Sequence, residues 1–316
     1  MHSVKAYAPI NIALIKYWGK RDSKEVLPYN ESLSVSLEGY GTTTMLEATN
    51  KGHLEVFIND HPATTADYKR VLWFLRQFEG FNENDGLRIT SVNTVPTAAG
   101  FASSASAYAA LATSANAFFK THYDHETLTA ITRKGSGSAA RSLLGGLVQW
   151  RTDGGISQLH WPFDDVVLLG VSVNETQKAT ASKEAMAHCV KTSSLYTQWL
   201  TRAANDADAL KEALKQGDFS MLGEIAERNA AYMHHTMEKA TPPIIYLTEA
   251  SHAIIEIVRS LRAKGIEAYA TMDAGPNVKI ICRKSALPSI KHTLIDAGYK
   301  RLKELTVSSE GARILE

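Results

Sequence analysis

Four stretches of this chain carry residue types that can do chemistry. The first, residues 96–106, reads Pro-Thr-Ala-Ala-Gly-Phe-Ala-Ser-Ser-Ala-Ser. Small side chains let an anion approach the backbone, the first N–H groups of a helix lack internal partners, and the helix dipole favours negative charge there. Such a segment can cradle a triphosphate; it can equally be an Ala-rich helix packed tightly on a sheet, with Ser103 as its N-cap. It is neither a Walker loop nor a dinucleotide loop, because the chain holds no G-x-x-x-x-G-K-[ST] and no G-x-G-x-x-G opening a helix after a strand. The second stretch, Lys16-Tyr17-Trp18-Gly19-Lys20, sets two lysines four apart around a glycine turn, a pattern that a solvated surface also shows. The third is Gly135-Ser136-Gly137-Ser138, followed by Arg141; it offers backbone and hydroxyl donors, or a flexible turn with an arginine free for a surface ion pair. The fourth is Asp273 ahead of Gly275-Pro276, which standing alone reads as a turn residue bonded to its own backbone. His234-His235 receives no metal-ligand role, since adjacent helical residues point about 100° apart.

The elements that position these residues follow from periodicity. Runs at 35–37, 42–48 and 54–58 are β-branched or apolar and are broken by Gly39, Gly41 and Asn50-Lys51-Gly52, which predicts a sheet meander. Val71, Leu72, Phe74, Leu75 and Phe78 recur at helical spacing over 67–81. A strand over 87–95 leads into the small-residue loop and then an Ala-rich helix to about 120; a second helix over 124–134 leads into the Gly-Ser run, and an apolar segment follows at 146–150. After a strand at 166–173 the chain turns helical, over 182–205, 207–216, 218–234 and 246–264, and then returns to strand, turn and helix. That order predicts an α+β fold of two domains, 1–175 and 176–316.

The 316 residues, 44% hydrophobic and 21% charged, suit a globular protein with a sizeable core. Lys and Arg number 34 against 33 Asp and Glu, a net charge of +1, so no global field recruits nucleic acid or an anionic membrane, and an anionic ligand must be held by local geometry. Two distant cysteines, Cys189 and Cys282, form neither a disulfide framework nor a metal spacing. With no signal core and no membrane-length apolar stretch, a cytoplasmic location is expected.

The segment Pro96 to Ala105 resembles the phosphate loop of the GHMP kinases, P-x-x-x-G-[LF]-[GA]-S-S-[AS]. Within that superfamily, Lys16-Tyr17-Trp18-Gly19-Lys20 after Asn11-Ile12-Ala13 is similar to the N-terminal signature of mevalonate diphosphate decarboxylases. Residues 133–142 resemble the block R-K-G-S-G-S-[AC]-x-R-S of that family, and residues 273–277 resemble its D-A-G-P-N turn. Asn229 to His234 and Pro242-Pro243 carry the similarity along nearly the whole chain.

The resemblance implies a ribosomal S5-like N-terminal domain, a ferredoxin-like C-terminal domain and an active site in the cleft between them. It implies ATP-dependent decarboxylation of mevalonate 5-diphosphate, with ATP and Mg2+ as cofactors and a homodimeric assembly. By the same token Asp273 is the base or orienter of the substrate hydroxyl, with Lys16 beside it. Tyr17 and Lys20 hold the substrate diphosphate, Arg141 takes the substrate carboxylate, and Ser136 and Ser138 add donors. Asn93, Pro96, Ala99, Gly100, Ala102, Ser103, Ser104 and Ser182 contact the nucleotide, Ser104 through phosphate or magnesium. One segment departs from the family: a Lys-Lys-x-Ser-Ser-like loop stands here as Gln177-Lys178-Ala179-Thr180-Ala181-Ser182-Lys183, so a lysine and a serine are lost and nucleotide affinity is expected to differ. The rivals are a small-molecule kinase that stops after phosphorylation, such as a mevalonate 3-kinase, and a silent paralogue that only binds.

Overall fold

The computed structural model describes residues 2–94, 103–173 and 180–316. Two sheets organise them. The first has eight strands, in the order Arg313–Leu315, Ser3–Ile15, Ser32–Ala48, Leu87–Asn93, Leu54–Ile58 and His61–Pro62, with Leu147–Trp150 and Ile156–Leu159 branching from Ser32–Ala48. The separate strands expected at 35–37 and 42–48 are one long strand. It bends where Pro9 faces Gly41 and the next residue, Ile10, faces Leu37, so the extra residues bulge out around Gly39 at φ +87°. The bend lets one strand serve two partners: Ser32–Val35 pairs with Leu147–Trp150, and Thr42–Ala48 with Leu87–Asn93.

Ser3–Ile15 is buried continuously from Ala8 onward. The helices Ser103–Phe118 and Phe219–Glu238 both pack against it, which is why its sequence is apolar without alternation. Ser103–Phe118 approaches closely because Ala105, Ala109, Ala110, Ala112 and Ala115 face inward and are fully buried.

The second sheet is antiparallel, in the order Ala268–Met272, Val278–Arg283, Val166–Val171, Leu302–Thr306. Its side chains alternate between two cores. Val167, Leu169, Ile280 and Cys282 meet the helices Glu249–Ala263 and Leu287–Asp296. Leu168, Ile281 and Leu305 meet Leu210, Leu222 and Ile225 of the helices Tyr196–Gln216 and Phe219–Glu238, and that core continues into Ile10, Ile12 and Leu33 of the first sheet. A shared core of this kind holds the two halves in fixed relation. Val166–Val171, sequentially before residue 175, belongs to the second sheet, whereas Arg313–Leu315 returns to the first. The helical tract expected over 182–205 is divided earlier, into Ser182–Thr192 and Tyr196–Gln216. Among the described residues no helix is long and apolar enough to cross a membrane.

Candidate active site

Lys16 follows the last residue of Ser3–Ile15, and its backbone is clamped from both sides. Its N–H donates to Asn229 Oδ1 at 2.8 Å, and its carbonyl accepts from Asn30 Nδ2 at 2.8 Å. Asn229, on Phe219–Glu238, is itself oriented by donating to Asp206 Oδ2 at 3.0 Å, and Arg228 pairs with the other Asp206 oxygen at 2.7 Å. Two residues on, Tyr196 Oη donates to the Trp18 carbonyl at 2.9 Å. Gly19 follows at φ +116°, where a Cβ would sit 1.8 Å from that hydroxyl, so this turn admits only glycine.

With its backbone fixed, the Lys16 side chain runs inward, 1% exposed, to place Nζ 2.7 Å from Asp273 Oδ1. Asp273 leaves the end of Ala268–Met272, and Lys279, equally buried, comes from the next strand to within 3.2 Å of Asp273 Oδ2. Arg141, 3% exposed, lies in the short helical turn Gly137–Leu143. It donates to Asn11 Oδ1 at 3.2 and 3.3 Å and to Ser32 Oγ at 2.6 Å, with Trp150 beneath at 5.8 Å. Asn11 in turn donates to the Ser138 carbonyl at 3.1 Å and to Ser142 Oγ at 2.8 Å, fixing the Gly-Ser run to the first strand.

Three hydroxyls continue the site toward the helix Ser103–Phe118. Ser104 Oγ is 3.4 Å from Ser136 Oγ, and Ser136 Oγ is 3.4 Å from Ser138 Oγ. Ser103 opens the helix Ser103–Phe118, whose first N–H groups have no partner within the helix. The Tyr17 ring packs on Trp150 at 4.7 Å, close to Gly137, and its buried hydroxyl has no partner among the described residues. Lys20 is half-buried near Lys183, and burial together with that second cation lowers its pKa. Ser182 begins the helix Ser182–Thr192, whose N-cap residue Ala181 supplies no side-chain bond. Asn93 is engaged otherwise: its Oδ1 accepts from Thr42, which bonds Ser106 at 2.8 Å, and its N–H donates to Asn59 at 2.8 Å. Pro96, Ala99, Gly100, Ala102, Gln177, Lys178 and Ala179 lie outside the described residues.

Electrostatics follow from burial and neighbours. Burial by itself pushes the Asp273 carboxyl up, but Lys16 and Lys279 more than offset this and hold it well below the usual carboxylate range. Burial lowers Lys16, which Asp273 opposes, and lowers Arg141 to about 10. Three buried cations around one carboxylate leave these four groups with surplus positive charge, a cost that an anionic ligand relieves. His234 donates Nε2–H to the Asp273 carbonyl at 3.1 Å, so it is the neutral tautomer protonated at Nε2. Burial first, and Lys16 next, push its pKa down to about 3 from 6.5.

That shift has a stability consequence. The folded value lies below the unfolded one, so the unfolded chain takes up a proton that the native state refuses. Stability from this group is full above pH 6.5 and is lost as pH falls toward 3, with a slope of at most about 1.4 kcal/mol per pH unit. Urea midpoints between pH 7 and 5 should fall in the native protein and fall less steeply in His234→Gln; equal slopes would contradict the assignment.

Of the residues singled out from the sequence, Lys16, Tyr17, Arg141, Ser136, Ser138, Ser104 and Asp273 lie along one connected surface of the structure. Sequence reasoning missed Lys279, Asn229, Asp206, Asn30, Asn11 and Ser32 as members of the site's supporting network. Asn229 and His234 stand in a segment whose only mark in the sequence is its similarity to the family; Lys279, two residues past the Asp273 turn, is marked only as a charge inside an apolar strand.

A lysine-gripped carboxylate and a serine-lined helix start lie within a two-domain α+β fold of the GHMP kinase type, ribosomal S5-like before ferredoxin-like. Residues 8–158 match the model of the diphosphomevalonate decarboxylase-like N-terminal domain, and residues 167–312 match that of the mevalonate 5-diphosphate decarboxylase C-terminal domain. A diphosphomevalonate decarboxylase of Aspergillus fumigatus is 38% identical, over 86% of this chain and 75% of its own length. The crystal structure of mevalonate diphosphate decarboxylase from Staphylococcus aureus superposes with a TM-score of 0.94 at 35% identity, covering 99% of this chain and 98% of the other. A second solved structure, in complex with MVAPP, AMPPCP and magnesium, gives 0.92 at 35% identity over 99% of both chains. The chain belongs to the diphosphomevalonate decarboxylase family.

Proposed function

We propose that the protein converts mevalonate 5-diphosphate and ATP to isopentenyl diphosphate, ADP, phosphate and carbon dioxide, as a step of isoprenoid synthesis. The observation that carries this reading is the buried Asp273 carboxylate held by Lys16 at 2.7 Å and Lys279 at 3.2 Å, with surplus cationic charge beside it. A tertiary hydroxyl is a poor leaving group. The C3 oxygen therefore first attacks the γ-phosphorus of ATP, displacing ADP. The C3–O bond then breaks with departure of phosphate while the C–C bond to the carboxylate supplies the electrons of the new double bond and releases carbon dioxide.

Each residue's part follows from its place. Asp273 accepts the hydrogen bond of the C3 hydroxyl; held so far below ordinary basicity, it orients that group and receives the proton only as the O–P bond forms. Lys16 compensates the charge gathering on the transferred phosphate, and Arg141 takes the substrate carboxylate in its planar fork. Tyr17 and Lys20 hold the diphosphate; the unpartnered Tyr17 hydroxyl and the half-buried Lys20 ammonium both suit an anion. Ser136 and Ser138 donate to substrate oxygens. Ser103, Ser104 and Ser182, with Pro96, Ala99, Gly100 and Ala102, hold the nucleotide, and Asn93, whose Oδ1 and N–H are already bonded, contributes to it only through its side-chain NH2. Magnesium, when bound with ATP, neutralises triphosphate charge, and the Ser104 hydroxyl is an oxygen donor suited to it. The site being anion-binding, developing positive charge at C3 is stabilised by the departing phosphate itself.

The reading includes a homodimer, a cytoplasmic location consistent with two buried free thiols, and a division into units of residues 1–175 and 176–316. The deciding experiment incubates the protein with ATP, magnesium and mevalonate 5-diphosphate and follows ADP and carbon dioxide together. Equal release supports decarboxylation. ADP without carbon dioxide reduces the protein to a kinase, and neither product overturns the reading. Sedimentation at micromolar concentration tests the dimer.

A further inference from the structure

Lys279 is placed where the fold asks for an apolar residue. It is the second residue of Val278–Arg283, an inner strand paired on both sides, with Thr271 opposite on one neighbour and Gly170 on the other. Alternation puts it on the face that carries Ile281 into the shared core. Lysine is 1% exposed there, and a buried ammonium is costly unless it meets an anion. Its Nζ lies 3.2 Å from Asp273 Oδ2 and 3.5 Å from the Asn277 carbonyl. The opposite oxygen, Oδ1, belongs to Lys16 at 2.7 Å. Two cations on two oxygens fix both the charge and the plane of the carboxylate.

The two lysines are not equivalent. Lys16 also serves the transferred phosphate in the function proposed above, on which this inference rests, so an arriving polyanion draws on the same ammonium that holds Asp273. Lys279 points to Asp273 from the strand behind it. We propose that Lys279 is a positioning residue of the reaction, keeping Asp273 anionic and in plane while Lys16 is shared with phosphate. It acts through Asp273 and not on substrate. The groups facing Asp273 are Lys16 after the first strand, Lys279 from the neighbouring strand, neutral His234 on its backbone carbonyl from Phe219–Glu238, and Arg141 from the turn Gly137–Leu143. Removing one of these cations therefore raises the pH at which the carboxylate takes a proton.

The test is Lys279→Met, which keeps length and removes charge, read by three measurements. First, the Asp273 carboxyl is followed by carbon-13 NMR titration of aspartate-labelled protein. It should move upward toward the ordinary carboxylate range by about one pH unit or more. Second, kcat should fall by about 10- to 100-fold with KM for either substrate changed less than about threefold, and an acid limb should enter the kcat profile. Third, the Lys279→Met loss should vanish in an Asp273→Asn background, because a residue acting through Asp273 has nothing to act on there. Lys279→Gln, which keeps a donor toward Oδ2, gives the same upward titration if the methionine variant does not fold. An unmoved titration, an unchanged kcat, or an equal loss in both backgrounds overturns the proposal. If the native protein releases neither ADP nor carbon dioxide, the functional reading falls while the titration still decides whether Lys279 holds Asp273.

Discussion

Asp273→Asn is expected to lower kcat by about 10³-fold while leaving nucleotide binding within a few-fold. Asparagine keeps the shape of the side chain but cannot accept the hydroxyl proton, and its amide can present N–H where the carboxylate presented an acceptor. The same change also strands the Lys16 ammonium. Lys16 is 1% exposed, and without the carboxylate its charge is buried unpaired, which costs on the order of 3–5 kcal/mol. The variant should therefore be less stable at neutral pH. Its stability relative to native protein should recover as pH rises toward 9 to 10. In the folded variant burial disfavours the charged form of Lys16, so the native state holds fewer protons than the unfolded chain, and stability lost below the unfolded lysine value returns as pH climbs toward it. Single-turnover kinetics and urea unfolding at pH 7 and 9.5 check both halves. Unchanged kcat would remove Asp273 from the chemistry, and a pH-independent stability loss would remove the electrostatic account.

Arg141→Met should behave in the opposite way toward stability. Its guanidinium is bonded to neutral partners, Asn11 and Ser32, and its charge is repelled by that of Lys16 while Asp273 attracts it. Deleting it leaves Asn11 Oδ1 and Ser32 Oγ short of a donor, at about 1–3 kcal/mol, but relieves a buried cation's desolvation and like-charge repulsion. Net stability should stay within about 1 kcal/mol of native. Activity should not: kcat/KM for mevalonate 5-diphosphate should fall about 10²- to 10³-fold, the worth of a charge-assisted contact to a carboxylate in a dry site. Arg141→Lys should rescue little, since an ammonium cannot reproduce the fork. A stable, inactive Arg141→Met beside an unstable, inactive Asp273→Asn would separate a group kept for ligand from one needed by both fold and ligand. Loss of stability equal to that of Asp273→Asn would contradict this division.

How far the sequence reached follows from what kind of signal each feature leaves. The Ala-rich helix was legible because Ala105, Ala109, Ala112 and Ser103 sit where close packing and an anion-facing start both demand small residues. The long strand Ser32–Ala48 was split because Gly39 and Gly41 are turn residues by preference, yet here they make a bulge within continuous pairing, a choice settled by tertiary contacts. The helices expected over 182–205 and 207–216 are continuous across Asp206, whose side chain reaches Asn229 and Arg228, and the break falls at Ser193, whose hydroxyl donates to the Thr236 carbonyl. Lys279 was not legible as a site residue because its one local mark, a charge inside an apolar strand, does not say what the charge meets. Its partner lies six residues back across a turn that periodicity does not describe.

The strand Arg313–Leu315 pairs with Lys5, Ala6 and Tyr7, joining the two extremes of the described chain in one sheet. A growing polypeptide presents Ser3–Ile15 well before the neighbour on that strand's outer edge, which is translated about three hundred residues later. At elongation rates of about 5–20 residues per second this edge stays open for roughly a quarter of a minute or longer. Throughout that time the N-terminal sheet has unsatisfied backbone donors and acceptors, so nascent chains are the population in which edge-to-edge association should be concentrated.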